Sequence, residues 1–235
     1  MWRHVLMTIG LTVWCFCWGI EAGLAQEPAQ RALNKLAELS RDLKIDPALS
    51  WSIERCGRPN AKYDPATRHI TLCREMREDV RGAFNRYTYT SASELDQVAD
   101  DAELFVVFHE VGHALIDVLE LPVTGREEDV ADQFAVWMLL QGGDAGERAI
   151  LSTGKYWKLL EVHSWRSPFW DEHSVDAQRS YNLFCWLYGT NPAKHVGLVG
   201  QWWSGGYLPK QRADRCKDES VKMLESLNRI MGHRR

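Results

Sequence analysis

The string His109-Glu110-Val111-Gly112-His113 carries residues that could do chemistry. Two histidines four positions apart lie about 6 Å from each other on one face of a helix, where their imidazole nitrogens can share a metal ion. Zinc suits this spacing, and a zinc ion with an open position lowers the pKa of its water to about 7. Glu110 lies too far round the helix to bind the same ion well. It is therefore the expected general base, which takes a proton from the water and passes it to the leaving amine.

A group of acids follows the second histidine and could complete the site. Glu128 and Asp132 are four positions apart in the run Glu127-Glu128-Asp129-Val130-Ala131-Asp132, so on a helix they share one face. We expect Glu128 to be the third metal ligand and Asp132 to accept a hydrogen bond from the second nitrogen of a ligand histidine. Glu127 and Asp129 have no acid at i+4. Glu127 is therefore expected to serve only the helix dipole at an ordinary N-terminus.

His-Glu-x-x-His alone is a modest signal, because a chain with eight histidines contains this spacing occasionally by chance. The alternative is a pair of hydrogen-bonded helix histidines that bind no metal. The surrounding pattern favours the metal site, since the motif lies in an apolar helix that is followed by a break and then by an acidic helix start.

Two helices joined by a short reversal are predicted to position these residues. Residues 93–119 indicate one long helix, with Ser93 as its N-cap and with both histidines on its inward face. Pro122 and Gly125 interrupt the pattern, and a second helix is predicted from near Arg126. The histidines thus belong to the first helix and the acids to the start of the second.

The remaining pattern predicts a small N-terminal sheet and a mostly helical C-terminal part. Helices are expected over residues 30–44, 75–87, 174–188 and 209–231, and short strands over 51–56 and 69–73. The two strands flank a turn-rich segment and form a hairpin or two strands of a small sheet. The predicted fold class is therefore α+β.

The N-terminus has the pattern of a secretory signal peptide. A basic residue precedes an apolar run over residues 5–20, and small residues precede a cleavage site near Ala25. Retention of this segment as an uncleaved anchor is the alternative. We expect residues 1–25 to be a signal peptide and residues 26–235 to form a single periplasmic or secreted domain without a membrane span.

The net charge of the chain argues against a nucleic-acid partner. It is −4 at pH 7, and the sequence contains no basic run that would create a field attractive to phosphates. We expect instead that the protein acts on a peptide or a protein.

Four cysteines follow the predicted signal peptide, namely Cys56, Cys73, Cys185 and Cys216. An even number in an oxidising compartment favours two disulfides, and three pairings are possible. We expect the sequence-local pairing, Cys56 with Cys73 and Cys185 with Cys216. No two of them have a C-x-x-C spacing, which argues against a cysteine-bound zinc ion.

Two longer strings resemble a known family. Residues 109–117, and residues 121–135 with Glu128-Asp129-Val130-Ala131-Asp132, resemble a bacterial family of exported metallopeptidases otherwise known as a domain of unknown function. The likeness takes in Asn60-Ala61-x-Tyr63-Asp64-Pro65 and Glu172-His173-Ser174-x-Asp176-x-Gln178-Arg179, and it covers most of the mature chain. The order of His-Glu-x-x-His and Glu-x-x-Ala-Asp also looks like the gluzincins, in which a downstream helix provides a glutamate ligand. The resemblance implies a zincin-like fold, zinc and peptide-bond hydrolysis.

The resemblance also implies a residue that stabilises an oxyanion. In gluzincins a separate histidine or tyrosine donates a hydrogen bond to the tetrahedral intermediate. His173 is the catalytic candidate for this role and Tyr181 is the alternative, while a surface or capping histidine is the competing interpretation. Asp117 could orient His113 or replace Glu128, although a hydrogen bond at the helix end is the preferred interpretation.

Together these residues predict an exported zinc metallopeptidase with Glu110 as general base. One alternative is a zinc amidase that acts on cell-wall peptides. Another is a non-catalytic exported domain that binds a metal or a protein. An edge strand near Thr71 is expected to hold an extended peptide beside the metal by strand addition.

Overall fold

A computed structural model describes residues 28–42, 44–88, 91–163, 174–200 and 205–232. The elements in chain order are helices α1 (Pro28–Asn34) and α2 (Leu36–Asp42), strands β1 (Ser50–Glu54), β2 (Ala61–Asp64) and β3 (His69–Cys73), and helices α3 (Glu75–Tyr87), α4 (Ala92–Val118), α5 (Glu127–Leu140), α6 (Asp144–His163), α7 (Asp176–Thr190) and α8 (Lys210–Gly232). A short 3₁₀ helix, Val196–Leu198, lies between α7 and α8. The predicted signal peptide, residues 1–25, lies outside the described residues.

The predicted α+β class is confirmed, with a small N-terminal sheet, a long helix that carries the histidine motif, and a mostly helical C-terminal part. The predicted order of a histidine helix followed by an acidic helix is also confirmed, as α4 and α5. The single helix expected over residues 30–44 is wrong, because a turn at Lys35 divides it into α1 and α2. No helix in the described stretches combines the length and the apolarity needed to cross a bilayer.

β3 is the central strand of the three-stranded sheet. It pairs in parallel with β1 and antiparallel with β2, so the strand order is β1-β3-β2. The expected edge strand near Thr71 is therefore wrong, since Thr71 is paired with Ser52 on one side and with Lys62 on the other. The pattern did not predict β2, whose four residues lie inside the expected turn segment and alternate only weakly in exposure.

α4 is the helix around which the described part of the chain packs, with contacts to α1, α3, α5, α6 and the sheet. Ser91, and not the predicted Ser93, is its N-cap. The Ser91 hydroxyl accepts a hydrogen bond from the Glu94 N–H, and the Glu94 carboxylate accepts one from the Ser91 N–H. The acid three positions after Ser93 is Asp96, which instead forms ion pairs with two arginines of α3.

Two disulfides fasten parts of the chain that lie on either side of α4 in sequence. Cys56 is bonded to Cys73 at the end of β3, and Cys185 of α7 is bonded to Cys216 of α8. The predicted sequence-local pairing is thus confirmed. α6 packs against both α4 and α7, and α7 and α8 also contact α5.

Candidate metal centre

Three side chains from α4 and α5 bring their donor atoms together. His109 Nε2 lies 3.2 Å from His113 Nε2 and 3.1 Å from Glu128 Oε2. The other carboxylate oxygen of Glu128 lies 3.4 Å from His113 Nε2. One donor atom from each of the three residues falls within 4.8 Å of the other two. Two imidazole nitrogens and a carboxylate oxygen in this arrangement could bind one metal ion.

Helix geometry and one close helix contact assemble this donor group. His109 and His113 are one turn apart near the end of α4, and Glu128 is in the first turn of α5. Between the histidines, a Cβ atom on Gly112 would lie 3.0 Å from both the Cα and the carbonyl oxygen of Ala131. Because α4 has no side chain at this point, the two backbones can come close enough for Glu128 to reach both imidazoles.

The second nitrogen of His109 is hydrogen-bonded to Asp132, whereas the sequence left open which of the two histidines this acid would contact. His109 Nδ1 lies 2.8 Å from Asp132 Oδ1, and both side chains are buried. A carboxylate can only accept here, so Nδ1 carries the proton and the Nε2 lone pair is directed at the donor group. Burial alone would raise the pKa of Asp132, but the charges of Arg179 and His109 lower it to about 2.

The second nitrogen of His113 is bonded to Glu127, which the sequence assigned only to the helix dipole. His113 Nδ1 lies 2.8 Å from Glu127 Oε1. The assignment of Glu127 to that role alone is therefore wrong. The i+4 spacing relates acids along one helix only, whereas Glu127 of α5 contacts His113 of α4. Asp129 accepts a hydrogen bond of 2.7 Å from the Ser174 hydroxyl just before α7.

The acids around the two imidazoles favour positive charge at this place. Burial lowers the pKa of His113, but hydrogen bonds to Glu128 and Glu127 outweigh it and raise this pKa to about 9. Burial also acts to lower the pKa of His109, and bonds to Asp132 and Glu128 raise it overall. The carboxylates that stabilise a proton on these rings also favour a metal cation between them.

Glu110 is buried beside the donor group without being part of it. Burial raises its pKa, against the lowering effects of His109, of His113 and of a hydrogen bond from the backbone of Tyr63. The net effect is a raised pKa, which brings this carboxyl closer to the range in which it can both accept and release a proton near neutral pH.

The other predicted candidates lie elsewhere or outside the described residues. Asp117 Oδ2 accepts a hydrogen bond of 2.8 Å from the Tyr63 hydroxyl, which agrees with a bond at the helix end and not with a role in orienting His113. Tyr181 contacts Lys158 of α6, whose Nζ lies 3.4 Å from its hydroxyl and 4.9 Å from its ring centre. His173 lies outside the described residues, so its catalytic role stays a prediction.

Sequence patterns predicted no role for two residues that contact the site. Tyr63 contacts Glu110 from strand β2, and Arg179 of α7 is hydrogen-bonded to Asp132. The sequence did contain one signal for Arg179. Leu183 lies four positions later on the same face of α7 and is fully buried, so Arg179 lies on an apolar helix face. A charged residue on an apolar helix face predicts a buried partner of opposite charge, but it does not say which one.

Comparison with known proteins identifies the family of this chain. A family described as "Putative metallopeptidase" matches residues 20–231, and the chain belongs to that family. No curated protein and no solved structure matches the chain. Together with the His–His–Glu donor group, membership of this family indicates a metal-dependent peptidase.

Proposed function

We propose that this member of the family is a zinc-dependent peptidase in which His109, His113 and Glu128 hold the ion and Glu110 is the general base. One observation carries the proposal. Three donor atoms converge within 4.8 Å, and a further buried carboxyl lies beside them. Hydrolysis needs this division of labour, because a carboxylate that binds the ion cannot also shuttle the proton.

The donor set fits zinc. Two imidazole nitrogens and one carboxylate oxygen are a ligand set found in catalytic zinc sites, which keep one position open. Both imidazoles donate their Nδ1 proton to an acid, Asp132 or Glu127, so that Nε2 of each ring is the metal-facing atom. When bound, zinc would supply Lewis acidity, which polarises the carbonyl of the substrate and lowers the pKa of a water.

Glu110 would move the proton. Its carboxylate oxygen accepts a proton from the attacking water and then delivers it to the nitrogen of the leaving amine. Burial beside the backbone of Tyr63 keeps that carboxylate away from bulk water. The carboxyl must be able to hold the proton between the two transfers.

β2 is an outer strand of the sheet as far as the described residues go, and this edge supports a peptide or protein as the substrate. The Cys73 N–H donates to the Asn60 carbonyl, so the alternation of an antiparallel pair turns the main-chain groups of Ala61 and Tyr63 away from β3. The backbone of Tyr63 also reaches Glu110. An extended peptide added to this edge would therefore lie beside the proposed general base. We therefore propose strand addition at β2, since Thr71 is paired on both sides.

The proposed place of action is outside the cytoplasm, in the periplasm or after secretion. Two disulfides support an oxidising compartment. Cleavage of residues 1–25 near Ala25 is part of this proposal, and the N-terminal sequence of protein recovered from the exported fraction tests it.

Zinc content and peptide cleavage, measured together on the purified protein, test the proposed function. Glu110→Gln is expected to keep the zinc and to lose about 10²- to 10⁴-fold in cleavage of an unbiased peptide mixture, because only proton transfer is removed. His113→Ala and Glu128→Ala are expected to lose the zinc. Glu120→Gln is the matched control, since Glu120 is an exposed acid just beyond α4, and both measurements should stay at the wild-type level.

Other outcomes of these measurements would remove or change the proposed function. Equal cleavage by the zinc-loaded wild type and Glu110→Gln would remove the peptidase proposal. Cleavage of cell-wall peptides alone would favour the amidase, and zinc binding without any cleavage would favour a non-catalytic domain. Zinc content that survives both His113→Ala and Glu128→Ala would refute the metal site.

A further inference from the structure

A largely buried arginine is hydrogen-bonded to Asp132, the acid that accepts from His109. Arg179 of α7 donates from Nε to Asp132 Oδ2 at 2.9 Å and from Nη2 to Asp132 Oδ1 at 2.7 Å. Its side chain is 12% exposed, and its guanidinium carbon lies 3.8 Å from the ring centre of Trp157 on α6. Asp132 Oδ1 is also the atom that faces His109 Nδ1.

We propose that Arg179 is a positioning residue for the metal centre, which sets the direction of His109 Nε2 through Asp132 and thereby the affinity for the ion. The proposal rests on the proposed function, because it assumes that His109 is a metal ligand. It adds a third helix, α7, to a site whose ligands and acids come from α4 and α5.

Arg179 contacts Asp132 at two points. A carboxylate with one partner can turn about its terminal bond, and an imidazole that follows it turns as well. Two parallel N–H···O bonds to both oxygens of Asp132 remove this freedom, which is the particular property of an arginine fork. The oxygen that accepts from His109 is then fixed in direction.

Trp157 supports the guanidinium of Arg179. The guanidinium lies against the face of Trp157, where cation–π attraction and packing hold its plane. Asp132 is 3% exposed, so water has little access to take over any of these hydrogen bonds. The chain from Trp157 through Arg179 and Asp132 to His109 therefore has a single arrangement, in contrast to the exposed contact between His113 and Glu127.

The experiment measures the dissociation constant for zinc alone, by competition with a chromophoric chelator. Arg179→Lys keeps the positive charge beside Asp132 but cannot form the fork. We expect about 10- to 100-fold weaker zinc binding, the range typical of groups that orient a metal ligand. The visible spectrum of the cobalt-loaded protein, which responds to ligand geometry, is expected to change as well.

Arg148→Lys is the matched control. Arg148 also uses Nε and Nη2 to contact a buried aspartate of α4, Asp101, but that aspartate is eight positions before His109 and contacts Ser152 and Gln97 rather than a histidine. A loss of charge pairing alone should lower the thermal stability of both variants, by less in Arg148→Lys because Arg148 is 48% exposed. Zinc affinity and the cobalt spectrum should change in Arg179→Lys and stay unchanged in Arg148→Lys.

A double-mutant cycle tests the route through Asp132. If Arg179 acts on the metal through this acid, Arg179→Lys should add no further loss of zinc affinity in an Asp132→Asn background. Full additivity would overturn the proposal, as would wild-type zinc affinity in Arg179→Lys or equal losses in the Arg148→Lys control. Should the lysine variant not fold, Arg179→Met, which keeps the apolar stem, is expected to show the same loss.

The proposed function can fail separately from this inference. Wild-type protein that binds no zinc would remove both. Wild-type protein that binds zinc and cleaves peptides, with Arg179→Lys at wild-type zinc affinity, would leave the peptidase proposal standing and remove only the role of Arg179.

Discussion

The two histidines of the candidate metal centre are held in different ways. His109 is bonded to Asp132, which is 3% exposed and is held in turn by Arg179. His113 is bonded to Glu127, whose side chain is 51% exposed. A buried and doubly held acid cannot exchange its partner for water, whereas an exposed acid can. The centre therefore has one fixed imidazole and one whose partner can readily be replaced.

Removal of Asp132 is expected to have the largest effect on stability. Asp132→Ala leaves the buried Arg179 without its carboxylate, and an uncompensated buried charge costs about 3–5 kcal/mol. Urea unfolding of the metal-free protein measures this loss. The comparison is with Glu127→Ala, which is expected to cost about 0.5 kcal/mol or less because its side chain is half exposed. Equal losses in the two variants would show that the two sides of the centre are held alike.

Gly112→Ala is expected to have an intermediate effect, because it acts on both histidines at once. The added Cβ would lie 3.0 Å from backbone atoms of Ala131 and 3.1 Å from Phe134 Cβ, so α4 and α5 must move apart. We expect a net loss of about 1–2 kcal/mol, in which overpacking exceeds the better helix propensity of alanine. Both the resistance to unfolding in urea and the affinity for zinc should decrease.

Gly82→Ala is the control for that substitution. Gly82 lies inside α3, and nothing is within 4 Å of the Cβ position that alanine would occupy. This variant is expected to gain up to about 1 kcal/mol from helix propensity alone. If Gly112→Ala also became more stable and kept its zinc affinity, the close contact of α4 with α5 would not be what assembles the donor group.

Glu127→Gln is expected to have the smallest effect. The amide oxygen can still accept a hydrogen bond from His113 Nδ1, and the lost charge is exposed to solvent, so we expect a cost of about 0.5–1 kcal/mol in zinc affinity. That corresponds to a change of about two- to fivefold in the zinc dissociation constant. A loss as large as that of Asp132→Asn would contradict the contrast between the two imidazoles.

The elements that sequence patterns predicted well are the long ones with strong periodicity. α4 and α5, with their histidines and acids, lie close to where the pattern puts them, and both disulfides follow the sequence-local pairing. β2 was missed because four weakly alternating residues carry little signal. The central place of β3 was missed because the partners of a strand depend on residues far away in the chain.

Sequence by itself determined which residues can act as pairs. A spacing of four puts His109 and His113 on one helix face, and it does the same for Glu128 and Asp132. This holds however the two helices pack, because the spacing acts within a single helix. Only the tertiary structure decided which acid meets which nitrogen, and that Arg179, 47 positions after Asp132, closes the buried side of the centre. Contacts between elements depend on how helices cross and how closely their backbones approach, as at Gly112, and spacing along the chain does not specify either.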